Sequence, residues 1–477
     1  MKLVRQLLTI LIICIASLLL CSCGNDVQES TEQSDIFSGY EIKLNDDVIR
    51  VSTESTSTSI CKHYTYSSKE ATFVDIYRSF TKYQTSPCYD VKSDAIVRYF
   101  DENGEWHRCN ITDKIPYAPC YFIDDENMHY WVYSPREYKP LNNHSVKLVS
   151  ENHGGIYFMP DNNTDYHLFC NTIGLNDNDY VDYILVASEN PLFVWDKADL
   201  KVENFMKLYG LTGNGHWCFD GYYFKAAESY VPSGDDVLYF CVDSYIIKSF
   251  NAGTRYNGCR LILPAMIDTM INHQTEEGYL PTYSFSSWLN EDYGINAGFY
   301  DTRFNTDFWG YVLDFYNDFG GDTFYEALEK YGQFFLKHAT RHRIATENGY
   351  FVSDYYDPNG DDLTHASLNH NIAEAQLCIR LSEFFNNPEY KEVADNIVKA
   401  IEDTDDQWIM RDNNLEYAIC PDNSFDYEDY PYLTYNDLYD MQYMFERMGL
   451  ERNPSFEKLM KAKKLWMDAN GIKDYKK

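Results

Sequence analysis

Positive charge is scarce in this chain: 40 lysines and arginines stand against 74 aspartates and glutamates, a formal net charge of −34 over 477 residues. So acidic a surface repels phosphate backbones and anionic headgroups, which argues against nucleic acid and against membrane adsorption by charge. An acidic polysaccharide would be repelled too, unless a local basic site received it. Long apolar runs are also scarce. The candidate, Leu7 to Leu20 behind Lys2 and Arg5, is shorter than the ~20 residues of a spanning helix and has the length and flanks of an export signal. The 13 cysteines contain no CxxC pair and no zinc-like Cys/His spacing, and HExxH is absent. No metal and no cofactor are therefore expected. The cysteine scatter gives no disulfide framework, and any connectivity among Cys61, Cys88, Cys109 and Cys120 stays open.

Leu20-Cys21-Ser22-Cys23 resembles a bacterial lipobox in which Cys23 becomes the lipidated first residue. Residues 1–22 are read as a lipoprotein signal peptide. Residues 23–58, rich in Ser, Thr, Gln, Asn and Asp, bury too little apolar surface to offset ordering and are expected to form a flexible tether. The chain would then sit lipid-anchored on the cell membrane or outer membrane, facing the extracytoplasmic side.

Aromatic residues are abundant, with 43 tyrosines and 17% aromatics overall. Tyr and Trp faces stack on the C–H faces of sugar rings, and phenol hydroxyls reach ring oxygens. From 59 to 195, short alternating runs such as Ala95 to Phe100, Met128 to Tyr133 and Tyr183 to Ala187 are separated by turn signals, which predicts a β-rich domain. From 196 to 477 the period becomes helical: Asp199 to Tyr209, Asp235 to Phe250, Leu261 to Ile271, Thr306 to Phe319, Thr323 to Arg341, Ser367 to Phe385, Glu389 to Ile401, Tyr435 to Met448 and Ser455 to Met467. The fold class is α+β multidomain, a β-rich N-terminal region followed by an incomplete α/α toroid or barrel.

Chemistry-bearing side chains gather at the predicted helix starts. His365 with Asn369, and His370 with Glu374, are spaced by four and would share helix faces. Tyr300, Asp301, Arg303, Asn305 and Asp307 precede another helix, where Arg303 could fork onto Asp301 or onto a substrate carboxylate. Lys337 to Arg343 is the dense basic patch of the chain. Two acidic clusters, Asn176 to Asp182 and Asp357 to Asp362, are read as solvated turns rather than calcium loops, because the twelfth position of the second is Leu368.

Three segments carry a family resemblance: Ser367 to Phe385, then Leu415-Glu-Tyr-Ala-Ile, then Tyr430-Pro-Tyr-Leu-Thr-Tyr-Asn-Asp-Leu. Together they resemble the C-terminal α/α-barrel domain of the D-glucuronyl C5-epimerase family. The resemblance implies removal and return of a proton alpha to a uronate carboxyl on a uronic-acid-containing polysaccharide. By the same match Tyr417 and Tyr432 would be the catalytic tyrosines. Animal members carry Glu-Pro-Gly-Trp-Tyr ahead of the hairpin where this chain has Asp361 to Ala366, so His365 or Asp362 would stand in for one acid/base group. Arg303, Arg343, Asn369, His370 and Tyr300 are the expected substrate contacts. Two other readings remain open: a glycoside hydrolase or lyase using Asp301, Asp307 and Glu374, and a non-catalytic glycan-binding lipoprotein.

Overall fold

The computed structural model describes residues 39–477 except 70, 81–88, 102, 114, 151–154, 162–164, 172–174, 177, 196–213, 226–228 and 361, and no side chain at 155 or 169–171. Cys23 and the segment Asp199 to Tyr209 lie outside the described residues.

Alternation builds the sheet. In the strand Ser59–Tyr66, Tyr64 and Tyr66 point to one face and Cys61 to the other, and in Phe73–Ser79 the same holds for Val74 and Ile76 against Tyr77. The strand Tyr180–Ser188 is buried on both faces over its whole length and lies at the centre of the sheet. Its neighbours run antiparallel in the order Gly39–Lys43, Val48–Ser55, Ser59–Tyr66, Phe73–Ser79, Tyr180–Ser188, Arg136–Pro140, Ser145–Ser150, Val237–Phe240, Gly221–Lys225, Gly215–Cys218. One face carries a small second core with Val91, Ile156 and Leu168 from a three-stranded sheet. The other face joins the main core that runs into the helices.

Among the described residues the helices are α1 (Ile246–Ala252), α2 (Asn257–Ile271), α3 (Ser287–Tyr293), α4 (Thr302–Phe319), α5 (Asp322–Arg341), α6 (Leu368–Phe385), α7 (Pro388–Thr404), α8 (Leu433–Arg447) and α9 (Pro454–Ala469). Side-chain oxygens satisfy several free N–H groups at their starts: Ser286 accepts from Leu289, Asp301 from Phe304, Asn387 from Glu389, and Asn453 from Ser455 and Phe456. Pro388 and Pro454 occupy first-turn positions where no N–H is needed. Four hairpins stack in two layers. Helices α1, α4, α6 and α8 neighbour one another in that order in one layer, and α2, α5, α7 and α9 do so in the other. Helix α6 is buried all round from Leu368 to Ala375, which is why its polar residues there need internal partners.

The β-rich region is larger than the sequence suggests. Strands Gly39–Lys43 and Val48–Ser55 fall inside the segment expected as tether, and the strands from Gly215 to Phe240 inside the segment expected as helical. Tyr40 and Ile49 explain the first: the Tyr40 hydroxyl donates to buried Asp268 of α2 at 2.5 Å, and Ile49 is fully buried. Tyr64 donates to the same Asp268 at 2.7 Å, and Tyr66 to the Leu261 carbonyl at 2.6 Å, so three tyrosines fasten the sheet to α2. The expected long helix over 235–250 divides into the strand Val237–Phe240 and α1, because Val237 and Leu238 pair with Lys147 and Val146 of the sheet. Cys61, Cys109, Cys120, Cys218, Cys241, Cys259, Cys378 and Cys420 are free thiols.

The last hairpin is fixed by a buried ion pair. Lys463, fully buried in α9, lies 2.7 Å from Asp429 and donates to the Asn414 carbonyl oxygen at 2.5 Å, while Thr434 donates to Asp429 at 2.5 Å. Burial lowers the lysine and raises the aspartate, so each depends on the other for its charge. Lys463→Met would leave Asp429 buried without its cation and is expected to cost about 3–5 kcal/mol, read as a lower urea midpoint at unchanged slope.

Candidate active site

Three helices of the same layer begin close together, and short strands hold their starts in register. Asp301, the cap of α4, pairs with Tyr355, and Ser367, the residue before α6, pairs with Ala418. Tyr432 occupies the corresponding position before α8. Unpaired N–H groups at such ends favour electron-rich partners.

Asp354 connects two of these starts. Its carboxylate accepts the Ser367 N–H at 2.8 Å and the Ser367 hydroxyl, its backbone carbonyl accepts the Thr302 N–H at 2.9 Å, and its own N–H donates to His365 at 3.0 Å. One carboxylate oxygen lies 3.4 Å from His365 Nε2 and 3.5 Å from His370 Nδ1. His370 Nδ1 is also 2.9 Å from the Thr302 hydroxyl. Glu374 follows one turn later on α6, fully buried, with no hydrogen-bond partner on either carboxylate oxygen.

Burial decides protonation here. It pushes Asp354 and Glu374 well above the usual carboxylate range, Asp301 up to about 7, and His365 down to about 4. His370 is lowered by burial and then by the Arg303 charge. At neutral pH the cluster therefore holds neutral imidazoles beside protonated or half-protonated carboxyls.

Around His365 stand five aromatic rings: Tyr293 at 5.4 Å, Trp288 and Tyr355 at 5.5 Å, Tyr427 at 5.7 Å and Tyr417 at 5.9 Å between centroids. The Tyr293 hydroxyl lies 3.0 Å from His365 Nδ1. Tyr293 also lines a surface depression that it shares with Asp292, Gly294, Asp362, Leu363 and Pro421, while His365 itself is fully buried. Tyr427 has φ of 66°, a left-handed backbone that costs a bulky residue on the order of 1–3 kcal/mol. Its ring lies against Trp288 at 6.0 Å and His365 at 5.7 Å between centroids.

The structure brings Tyr417, His365 and His370 into this cluster, and the Tyr417 hydroxyl is pushed up by burial and by Asp354. Tyr432 and Tyr430 are both exposed at the rim, 40% and 51%, and of the two Tyr430 sets its ring edge-on to Tyr417 at 5.6 Å. Tyr300 is fully buried, with its hydroxyl 3.2 Å from that of Tyr331. Asn369 offers its carbonyl to Arg303, and its side-chain oxygen is buried without a partner. Arg343 is exposed on the strand Arg343–Ala345 and lies over the Tyr350 ring. Arg303 donates to Asp307 at 2.8 Å and to both oxygens of Asp437 at 2.7 and 3.3 Å, so its donors face protein rather than a ligand. Sequence reasoning missed Asp354, Asp437, Trp288, Tyr293 and Tyr427, because nothing in their local spacing links them to the hairpin.

Asp301 gives the cluster a pH signature. Its folded pKa of about 7 lies above the unfolded value near 3.9, so the fold binds the extra proton between these limits. Its stabilising contribution is complete at low pH and is lost as pH rises through about 7; His365, depressed to about 4, acts in the opposite sense between about pH 4 and 6.5. Asp301→Asn keeps an oxygen for the Phe304 N–H and has no proton to lose. Relative to the parent it is expected to gain stability between about pH 5 and pH 8, measured by urea unfolding at both.

No family model matches the chain, and no curated protein matches it. Among solved structures, a family 76 glycoside hydrolase from a bovine Bacteroides thetaiotaomicron strain is 9% identical over 90% of this chain and 78% of its own, with a TM-score of 0.40. A sugar epimerase from a ruminal bacterium is 12% identical over 57% of this chain and 68% of its own, at 0.38. A D-mannose isomerase is 14% identical over 46% of this chain at 0.36, and the chain spans 56% of that protein's length. Likenesses of this degree assign no residue.

Proposed function

We propose that this chain is a surface-anchored, glycan-acting enzyme that removes and returns a proton at a sugar carbon, in the manner of a uronate C5-epimerase, on an incomplete α/α toroid. The observation that carries this reading is the His365 cage: a neutral imidazole in contact with Tyr293 and Asp354 and enclosed by five aromatic rings. Aromatic faces suit sugar C–H surfaces, and a neutral imidazole can accept a proton. Tyr417 and the rim tyrosine Tyr432 are the candidates for the second proton-transfer group. Anchoring through Cys23 would keep the enzyme beside extracytoplasmic polysaccharide.

The uronate in this reading is not received by a free arginine, since Arg303 is held by Asp307 and Asp437. Its carboxylate would instead meet neutral donors, the phenol hydroxyls and protonated Asp301. Activity would then fall as pH rises through about 7 and Asp301 ionises.

A second reading rests on a different observation. Asp301, Asp354 and Glu374 are three buried carboxyls raised into the range where they carry a proton near neutrality, which is what a general acid for glycosidic cleavage requires.

Incubation with uronate-containing oligosaccharides in deuterated water separates the two. Deuterium at C5 without new reducing ends is expected from the parent, and roughly 100-fold less from His365→Gln and from Tyr417→Phe. New reducing ends without label would establish hydrolysis, and neither product from any uronate substrate would refute the epimerase reading.

A further inference from the structure

Away from this site, three adjacent strands place four metal-ligating side chains together. Glu54 lies opposite Cys61, and His63 lies opposite Asp75, in the registers of Val48–Ser55 with Ser59–Tyr66 and of Ser59–Tyr66 with Phe73–Ser79. Cys61 and His63 are two residues apart on one strand and so share a face. The Cys61 sulfur, a His63 ring nitrogen and an Asp75 carboxylate oxygen all lie within 4.8 Å of one another. Cys61 is 4% exposed and Asp75 1%.

The orientation of each group favours a bound cation over a hydrogen-bonded triad. His63 Nδ1 faces both Cys61 Sγ, at 3.9 Å, and Asp75 Oδ1, at 2.7 Å, while Nε2 is 3.7 Å from the Glu54 carboxylate. A nucleophilic triad needs thiol and carboxylate on opposite ring nitrogens, and here they share one. A metal ligand needs what is present: sulfur, nitrogen and oxygen converging on one point, with the far ring nitrogen free to donate to a carboxylate outside the coordination sphere. The second oxygen of Asp75 is fixed by the Tyr89 hydroxyl at 2.5 Å, which turns Oδ1 inward.

We propose that Cys61, His63 Nδ1 and Asp75 Oδ1 form a three-ligand site for a borderline divalent transition metal of the zinc or cobalt type, with Glu54 orienting His63 and one coordination position left for solvent. Tetrahedral zinc sets ligand-to-ligand edges of about 3.4 Å for nitrogen to oxygen and about 3.6 Å for sulfur to nitrogen. The nitrogen–oxygen edge would therefore open by roughly 0.7 Å and the sulfur–nitrogen edge close by roughly 0.3 Å. On binding, the thiol proton passes to solvent as the sulfur–metal bond forms, and the imidazole keeps one proton, moved from Nδ1 to Nε2 where Glu54 accepts it. The mixed sulfur, nitrogen and oxygen donors disfavour calcium and magnesium, which take oxygen alone.

Titration of the chelator-treated full chain with Co²⁺ tests this. Binding of one equivalent is expected to produce visible d–d bands together with a near-ultraviolet thiolate-to-cobalt charge-transfer band, both displaced by Zn²⁺. The charge-transfer band disappears in Cys61→Ser. Glu54→Gln, at a side chain 78% exposed and so tolerated by the fold, keeps the band but weakens affinity about 10- to 100-fold. The unmutated chain also gains thermal stability with Zn²⁺. Cobalt bound without the thiolate band, a band unchanged in Cys61→Ser, or no binding would each overturn the site; cobalt held only at Asp101, Glu105 and His107 would show the first.

Discussion

Asp354 is the point at which the candidate site and the helical layers become one construction. Its main chain ties the start of α4 to the segment before α6, and its carboxylate caps Ser367 while facing both histidines. A residue that hydrogen-bonds through backbone and side chain to two helix starts cannot move without moving both. The start of α4, His365 and His370 are therefore coupled through one residue, the first by its main chain and the histidines by its carboxylate as well.

That arrangement concentrates ionisable groups where water is absent, which by itself opposes folding. The cluster meets this by remaining uncharged: carboxyls are pushed up and imidazoles down, and the one permanent charge, Arg303, is matched by Asp307 and Asp437. Asp437 is itself pushed up to about 6 by burial, which outweighs the lowering effect of the guanidinium beside it. The surrounding scaffold supplies rigidity through apolar contacts, with Trp309 of α4 and Trp408 just after α7 fully buried. The result is a nearly neutral interior in a chain of net charge −34.

Helical periodicity is the part of the fold that reads directly from the chain. The expected segments from Thr306 onward coincide with α4 to α9 to within a few residues, and Asn453 with Pro454 marks the start of the last by local chemistry. Contacts set by tertiary register do not read from it. Arg303 meets Asp437 134 residues away, Tyr40 meets Asp268 228 residues away, and Cys61, His63 and Asp75 meet through strand pairing that no cysteine spacing encodes. Tyr430 and Tyr432 differ by two positions in one loop and are both exposed, and only the fold decides that it is Tyr430 whose ring meets Tyr417.

The paired spacing of four at the head of α6 shows how a correct rule can apply to half of a motif. His370 and Glu374 both lie within the helix and share its buried face, as the period requires. His365 and Asn369 do not, because the helix begins at Leu368 and His365 precedes it in extended chain. Freed from the helix, the His365 ring turns toward Tyr293 and Trp288 of α3, an element more than seventy residues earlier. Its orientation is then governed by Asp354 and by the strained Tyr427 rather than by helical geometry. A histidine held this way can be retuned by loop residues without disturbing the core, since neither Tyr293 nor Tyr427 contributes to the helix layers. The hairpin thus supplies the wall of the cage, and the loops around it supply the rings that meet His365.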